Sequence, residues 1–111
     1  MSVIQRRVSI AANDVNENIL AGSTFEILQG RSVVSIGLTG QVVGLVATVL
    51  VGSTVVLEES PVFIKANAFA VIPDEMFYNA AGVGNDRIVI RVRNTTGAAV
   101  DVRVLVQIAR V

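Results

Sequence analysis

The strongest constraint on this chain is the period-two alternation of its last quarter, DRIVIRVRNTTGAAVDVRVLVQIARV, running from Asp86 to Val111. Ile88, Ile90 and Val92 alternate with Arg87, Arg91 and Arg93. Beyond the turn, Val100, Val102, Val104, Val106 and Ile108 alternate with Asp101, Arg103 and Gln107. A repeat of two throws each set onto one face of a strand, so the segment is expected to form one long β-hairpin. Pairing apolar with apolar sets Val92 against Val100, Ile90 against Val102 and Ile88 against Val104. Thr95-Thr96-Gly97 is left as a three-residue loop, with Gly97 where a positive φ is needed. Arg91 then faces Asp101, an opposite-charge cross-strand pair worth roughly a few tenths of a kcal/mol.

The same alternation, less regular, recurs upstream. Residues 1–11 form a first strand, with Val8 and Ile10 in one phase and Arg7 and Ser9 in the other. Arg6 and Arg7 fit a solvated strand face better than a basic arm. The polar run Asn13 to Asn18 is a turn. It imitates the start of a calcium loop but has Ile19 where that loop needs Gly and Phe25 where it needs a bidentate Glu. Ile19–Ala21 and Ser23–Leu28 are short extended pieces, and Arg31–Thr39 is a strand ended by Gly40. Val42–Val51 and Thr54–Glu59 form a second hairpin across Gly52-Ser53, a pair suited to a type II′ turn. A two-residue turn pairs Val51 with Thr54, Leu50 with Val55, Val49 with Val56 and Thr48 with Leu57. Both faces of that hairpin are apolar, so one of them is expected to be covered by another subunit. Ser60-Pro61 breaks the sheet and Val62–Ala66 resumes it. Ala68–Ile72 is a further short strand, and residues 73–81 form a loop or one helical turn capped by Asp74. Seven to nine short strands with turn residues between them indicate an all-β fold. The expected architecture is one antiparallel β-sandwich of Greek-key or jelly-roll type, spanning residues 1–111 as a single domain.

Composition narrows the function. Hydrophobic residues make up 52% of the 111, more than a small domain can bury within itself, so part of that surface is expected between subunits. Nine basic and nine acidic residues cancel, which gives no general attraction to nucleic acid or to membrane surfaces. Eight of the nine basic residues are Arg, the cation suited to planar pairs in interfaces. With neither His nor Cys, imidazole and thiolate catalysis and ordinary zinc or copper sites are excluded. Glu58 and Glu59 are strand neighbours and point to opposite faces, and Asp74-Glu75 lacks a nearby base. Gly82-Val83-Gly84 lacks a phosphate-loop pattern and precedes a strand instead of a helix. The Arg stripe has no interleaved aromatic platform for RNA bases. No catalytic residue, cofactor or metal is expected. The opening MSVIQRRVSI has no apolar core of a signal peptide, and Val42–Leu57 is too short and too β-branched for a membrane helix.

The closing segment DRIVIRVRNTTGAAVDVRVLVQIARV, with the preceding AVIPDEMFYNAAGVGND, resembles small β-sandwich structural proteins of bacteriophage particles. These are the capsid decoration (cement) proteins and jelly-roll shell subunits. The resemblance covers residues 68–111 and carries no catalytic residue. It implies synthesis in the host cytoplasm, residence in the virion, and self-assembly into a homotrimer or larger symmetric oligomer in contact with other capsid proteins. The expected contact surface is the Val42–Leu57 hairpin, with Leu50, Val55 and Leu57. Phe77 and Tyr78 assist from the following loop, and Arg91 and Arg93 form carboxylate pairs at the rim. Two other readings stand beside this one. The first is a carbohydrate- or ligand-binding β-sandwich module, disfavoured by one Tyr and no Trp. The second is an adaptor of a non-viral assembly.

Overall fold

Nine strands run in two sheets through a computed structural model that describes residues 2–23, 26–65, 68–69, 76 and 78–110. They are β1 (Ser2–Ile10), β2 (Val15–Asn16), β3 (Ser32–Gly40), β4 (Leu45–Val51), β5 (Thr54–Pro61), β6 (Phe63–Ile64), β7 (Tyr78–Gly82), β8 (Ile88–Asn94) and β9 (Val100–Arg110). The first sheet has the order β1-β9-β3-β6, with β7 also paired to β3; the second has the order β2-β8-β4-β5. All pairings are antiparallel except the short β3–β6 contact. The two sheets pack face to face as in a β-sandwich. Their common core takes Ile4, Val34, Ile36, Leu38, Val102, Val104 and Val106 from one side and Leu45, Ala47, Val49, Val51, Ile88, Ile90 and Val92 from the other. Each fully buried side chain of this kind contributes roughly 1.5–3 kcal/mol.

The expected terminal hairpin is corrected here. β8 and β9 are consecutive strands but lie in different sheets: β8 pairs with β4 and β2, and β9 pairs with β1 and β3. The even-numbered apolar residues of both strands point inward as their period demands, yet they face one another across the core instead of sitting side by side. Arg91 is therefore not opposite Asp101. It lies in register with Thr48, while Asp101 lies opposite Ser9.

The turn between β8 and β9 is an arch tied to its surroundings. Asn94, 1% exposed, donates through Nδ2 to the carbonyls of Ile10 (2.9 Å), Ala11 (3.2 Å) and Ala98 (2.8 Å). Its Oδ1 accepts from Thr96 N at 2.9 Å and from Thr96 Oγ1 at 2.7 Å. One buried amide thus satisfies backbone groups of the arch itself and ties the arch to the end of β1. Arg6 does a similar job on the flank. Its Nη1 donates to the carbonyls of Ile19 and Ala21 at 2.9 Å each, so it fastens a loop and does not form a free basic arm.

The β4–β5 hairpin follows the expected turn and then departs from it. Gly52 has φ +61, as the first central residue of a II′ turn requires, and Val51–Thr54 and Leu50–Val55 pair as expected. Beyond Leu50 the register shifts: Val49 pairs with Leu57, not Val56, and a second shift follows before Ala47–Ser60. These bulges absorb extra residues in β5. β5 also runs through Pro61, paired to Val46, so Ser60-Pro61 does not end the strand. The chain changes sheet just after it, at Val62. Tyr78–Gly82 is a strand where a loop was expected, and Ile19–Ala21 is a turn where a strand was expected. The expected strand at 68–72 and the Asp74 cap lie outside the described residues, in whole or in part.

Candidate assembly surface

The outer face of the second sheet is built by residues that the strand period turns away from the core. Registers place them in rows. Val55, Leu50 and Val89 form one row across β5, β4 and β8. Thr48 and Arg91 form the next. Pro61, Val46, Arg93 and Val15 form a third across β5, β4, β8 and β2. Val55 is 53% exposed, while Leu50 and Val89 are half-buried by their neighbours in the row. The result is an apolar strip at the Gly52 end of the sheet, grading into a charged end.

The charges are held in pairs. Arg93 Nη2 bonds Glu59 Oε1, and Arg91 Nε lies 3.1 Å from Glu17 Oε2 without hydrogen-bond alignment. Arg87 Nε lies 3.4 Å from Glu26 Oε2 at the sheet margin. Pairs this exposed stabilise by about 0.2–1 kcal/mol each. Their larger effect is to neutralise the face, so that it can meet another protein surface without stranding a charge.

Of the residues expected at the contact, Leu50, Val55, Arg91 and Arg93 lie together on this face. Leu57 does not: the β5 bulge turns it inward, where it packs with Val56 against the core. Tyr78 also turns inward on β7, paired with Ile36 and packed against the core margin. Burial raises the Tyr78 hydroxyl above its ordinary pKa of 10.0. Phe77 lies outside the described residues. Val89 and Val46 belong to the face and were not singled out from sequence. Val89 was legible, because it is the one apolar residue in the otherwise polar phase Arg87, Arg91, Arg93.

The outer face of the first sheet differs. Leu105 stands in the polar phase of β9 yet is only 2% exposed, because Met76 covers it in a second small cluster. Thr39 Oγ1 donates to Ala68 O at 2.9 Å, and Asn79 Nδ2 donates to Met76 O at 3.2 Å. Ala68 and Met76, from the stretch between β6 and β7, thus lie against this face from within the chain, and Arg103 is almost buried.

Elsewhere, a cleft of about 200 Å³ lies between the starts of β1 and β3 and the end of β9, lined by Ser2, Ile27, Leu28, Gln29, Ser32, Ile108 and Arg110. Among the described residues no three carboxylates gather as a metal site would require. Nor, among the described residues, is any helix long and apolar enough to cross a membrane. Comparison with family models, with curated proteins and with solved structures finds no match to this chain.

Proposed function

We propose that this chain is a non-enzymatic, self-assembling structural protein, a sandwich of Greek-key or jelly-roll type that decorates or builds a bacteriophage capsid through subunit–subunit contacts. The observation that carries the reading is the outward-facing apolar row Val55–Leu50–Val89, half-exposed at Val55, beside neutralised arginines on the outer face of the second sheet. That combination of an apolar centre with a paired-charge rim is how protein interfaces are composed. Zero net charge removes long-range repulsion between copies. The assembly is a homotrimer or larger symmetric oligomer, with other capsid proteins as further partners.

A ligand-binding module is the second reading, and the cleft at Arg110 favours it. At about 200 Å³ the cleft is smaller than the roughly 300–1,000 Å³ of typical ligand pockets, so it ranks below assembly. A non-viral adaptor would use the same face. Light scattering of the purified protein, followed by electron microscopy, tests the assembly itself. Closed rings or shells are expected, and a monomer at every concentration would remove the reading. Co-sedimentation with purified phage shells lacking their decoration separates the viral reading from the adaptor, which would stay in the supernatant.

A further inference from the structure

Each sheet leaves one long strand edge without a strand partner among the described residues, and the two edges differ in kind. β5, the outer strand of the second sheet, carries two register shifts, Pro61 and the exposed pair Glu58 and Glu59. Bulges, proline and charge are the devices that keep an edge from pairing. β1, the outer strand of the first sheet, has none of the first two. It pairs with β9 over nine consecutive residues with no shift and contains no Pro.

We infer that β1 pairs edge to edge, antiparallel, with β1 of a second copy, joining two sandwiches through one continuous sheet. The inference rests on the self-assembly reading and adds to it a contact distinct from the Leu50 face. The occupant is argued from the strand itself. Ile4 and Ile10 are buried and Val8 is half-buried on the inner side, while Val3, Gln5, Arg7 and Ser9 are exposed on the outer side. An added strand must repeat this alternation in reverse, and a second β1 does so whenever even residues meet even ones.

Charge and length together select the register. Pairing Arg6 with Arg6, or Arg7 with Arg7, sets like charges directly opposite. Of the two-fold registers that avoid both, the one with its axis through Gln5 pairs the longest stretch of β1, Ser2 to Val8: Gln5 meets Gln5, Ile4 meets Arg6 and Val3 meets Arg7. Arg6 already spends its guanidinium on the Ile19 and Ala21 carbonyls, which further reduces repulsion at the joint. A two-fold edge contact, combined with a separate face contact, is what extends a small oligomer into a shell.

The chain has no cysteine, so single cysteines report the register. Self-paired Cα atoms of an antiparallel pair lie about 4.5–5.5 Å apart, inside the roughly 4.4–6.8 Å that a disulfide accepts. Oxidised Gln5→Cys protein is therefore expected to run as a covalent dimer. Its cross-linking should be at least about tenfold faster than that of Ser53→Cys at the exposed turn, because pairing raises the local thiol concentration. Val3→Cys and Arg7→Cys each lie about 14 Å from their own symmetry mate at ~3.4 Å per residue. Each alone should not cross-link, and a mixture of the two should. Gln5→Cys cross-linking no faster than Ser53→Cys, in protein that still assembles, would overturn the edge contact and leave the face reading standing. A Gln5→Cys dimer that forms equally well in Leu50→Asp protein would support the edge as an independent contact. Protein that stays monomeric and uncross-linked throughout would overturn both.

Discussion

Two apolar residues interrupt the polar phases of the last two long strands, and the molecule treats them differently. Leu105, on the outer face of β9, is covered by Met76 from the chain's own β6–β7 connection. Val89, on the outer face of β8, lies in a row with Leu50 and the exposed Val55, with no cover among the described residues. The same sequence signal, an apolar residue where the period calls for a polar one, thus has two outcomes. At Leu105 the cover is internal and belongs to folding. At Val89 the single chain supplies none among the described residues, and under the proposed function a second molecule would supply it.

Truncating each residue should separate the two faces by which property fails. Leu105→Ala should lower the stability of the isolated domain by about 2–5 kcal/mol, read by urea denaturation at a dilution where the chain is monomeric. Met76→Ala should cost about 2 kcal/mol at the same face, and less in combination with Leu105→Ala, since the two share one contact. Leu50→Ala on the other face should change monomer stability by about 1 kcal/mol or less, because its outer side is not packed in the single chain. A stability loss at Leu50 as large as that at Leu105 would mean that the second face is also part of the folded core.

Smaller effects sharpen the picture. Removing Arg93, and with it the Glu59 pair, should cost only about 0.2–1 kcal/mol and less at high salt, as denaturation at two ionic strengths would show. Tyr78 provides a pH probe of the margin where β7 meets the core. Its folded-state pKa is raised by burial, so the native state holds the phenol proton more tightly than the unfolded chain does. The contribution is fully present below pH 10.0 and is lost as the pH rises through the folded value. Stability should therefore fall on the alkaline side, and Tyr78→Phe should flatten that fall.

The strands themselves were legible because period two is a local property. β1, β3, β8 and β9 lie where alternation puts them, and Gly52-Ser53 turns as its residue types require. What alternation does not encode is the neighbour. The even-numbered valines and isoleucines of β8 and β9 satisfy an in-sheet hairpin and a cross-core arch equally well. The choice is made by tertiary bonds, above all those of Asn94, whose partners Ile10 and Ala11 are distant in sequence. The Leu57 position shows the same limit on a smaller scale. A perfect ladder from the turn would carry it to the outer face, and the β5 bulges turn it inward. On the candidate surface, Leu50, Val55, Arg91 and Arg93 were legible from phase alone. Val89 was legible too, as a break in the arginine stripe.

A subunit contact on the outer face of the second sheet is tested most directly by the solution mass of wild-type and Leu50→Asp protein across one concentration series. Wild-type mass should climb past a dimer to a closed multiple of 11.7 kDa, while Leu50→Asp remains folded and stops at a dimer or below. Equal assembly of the two proteins, or a wild-type chain that never grows beyond a dimer, would contradict it.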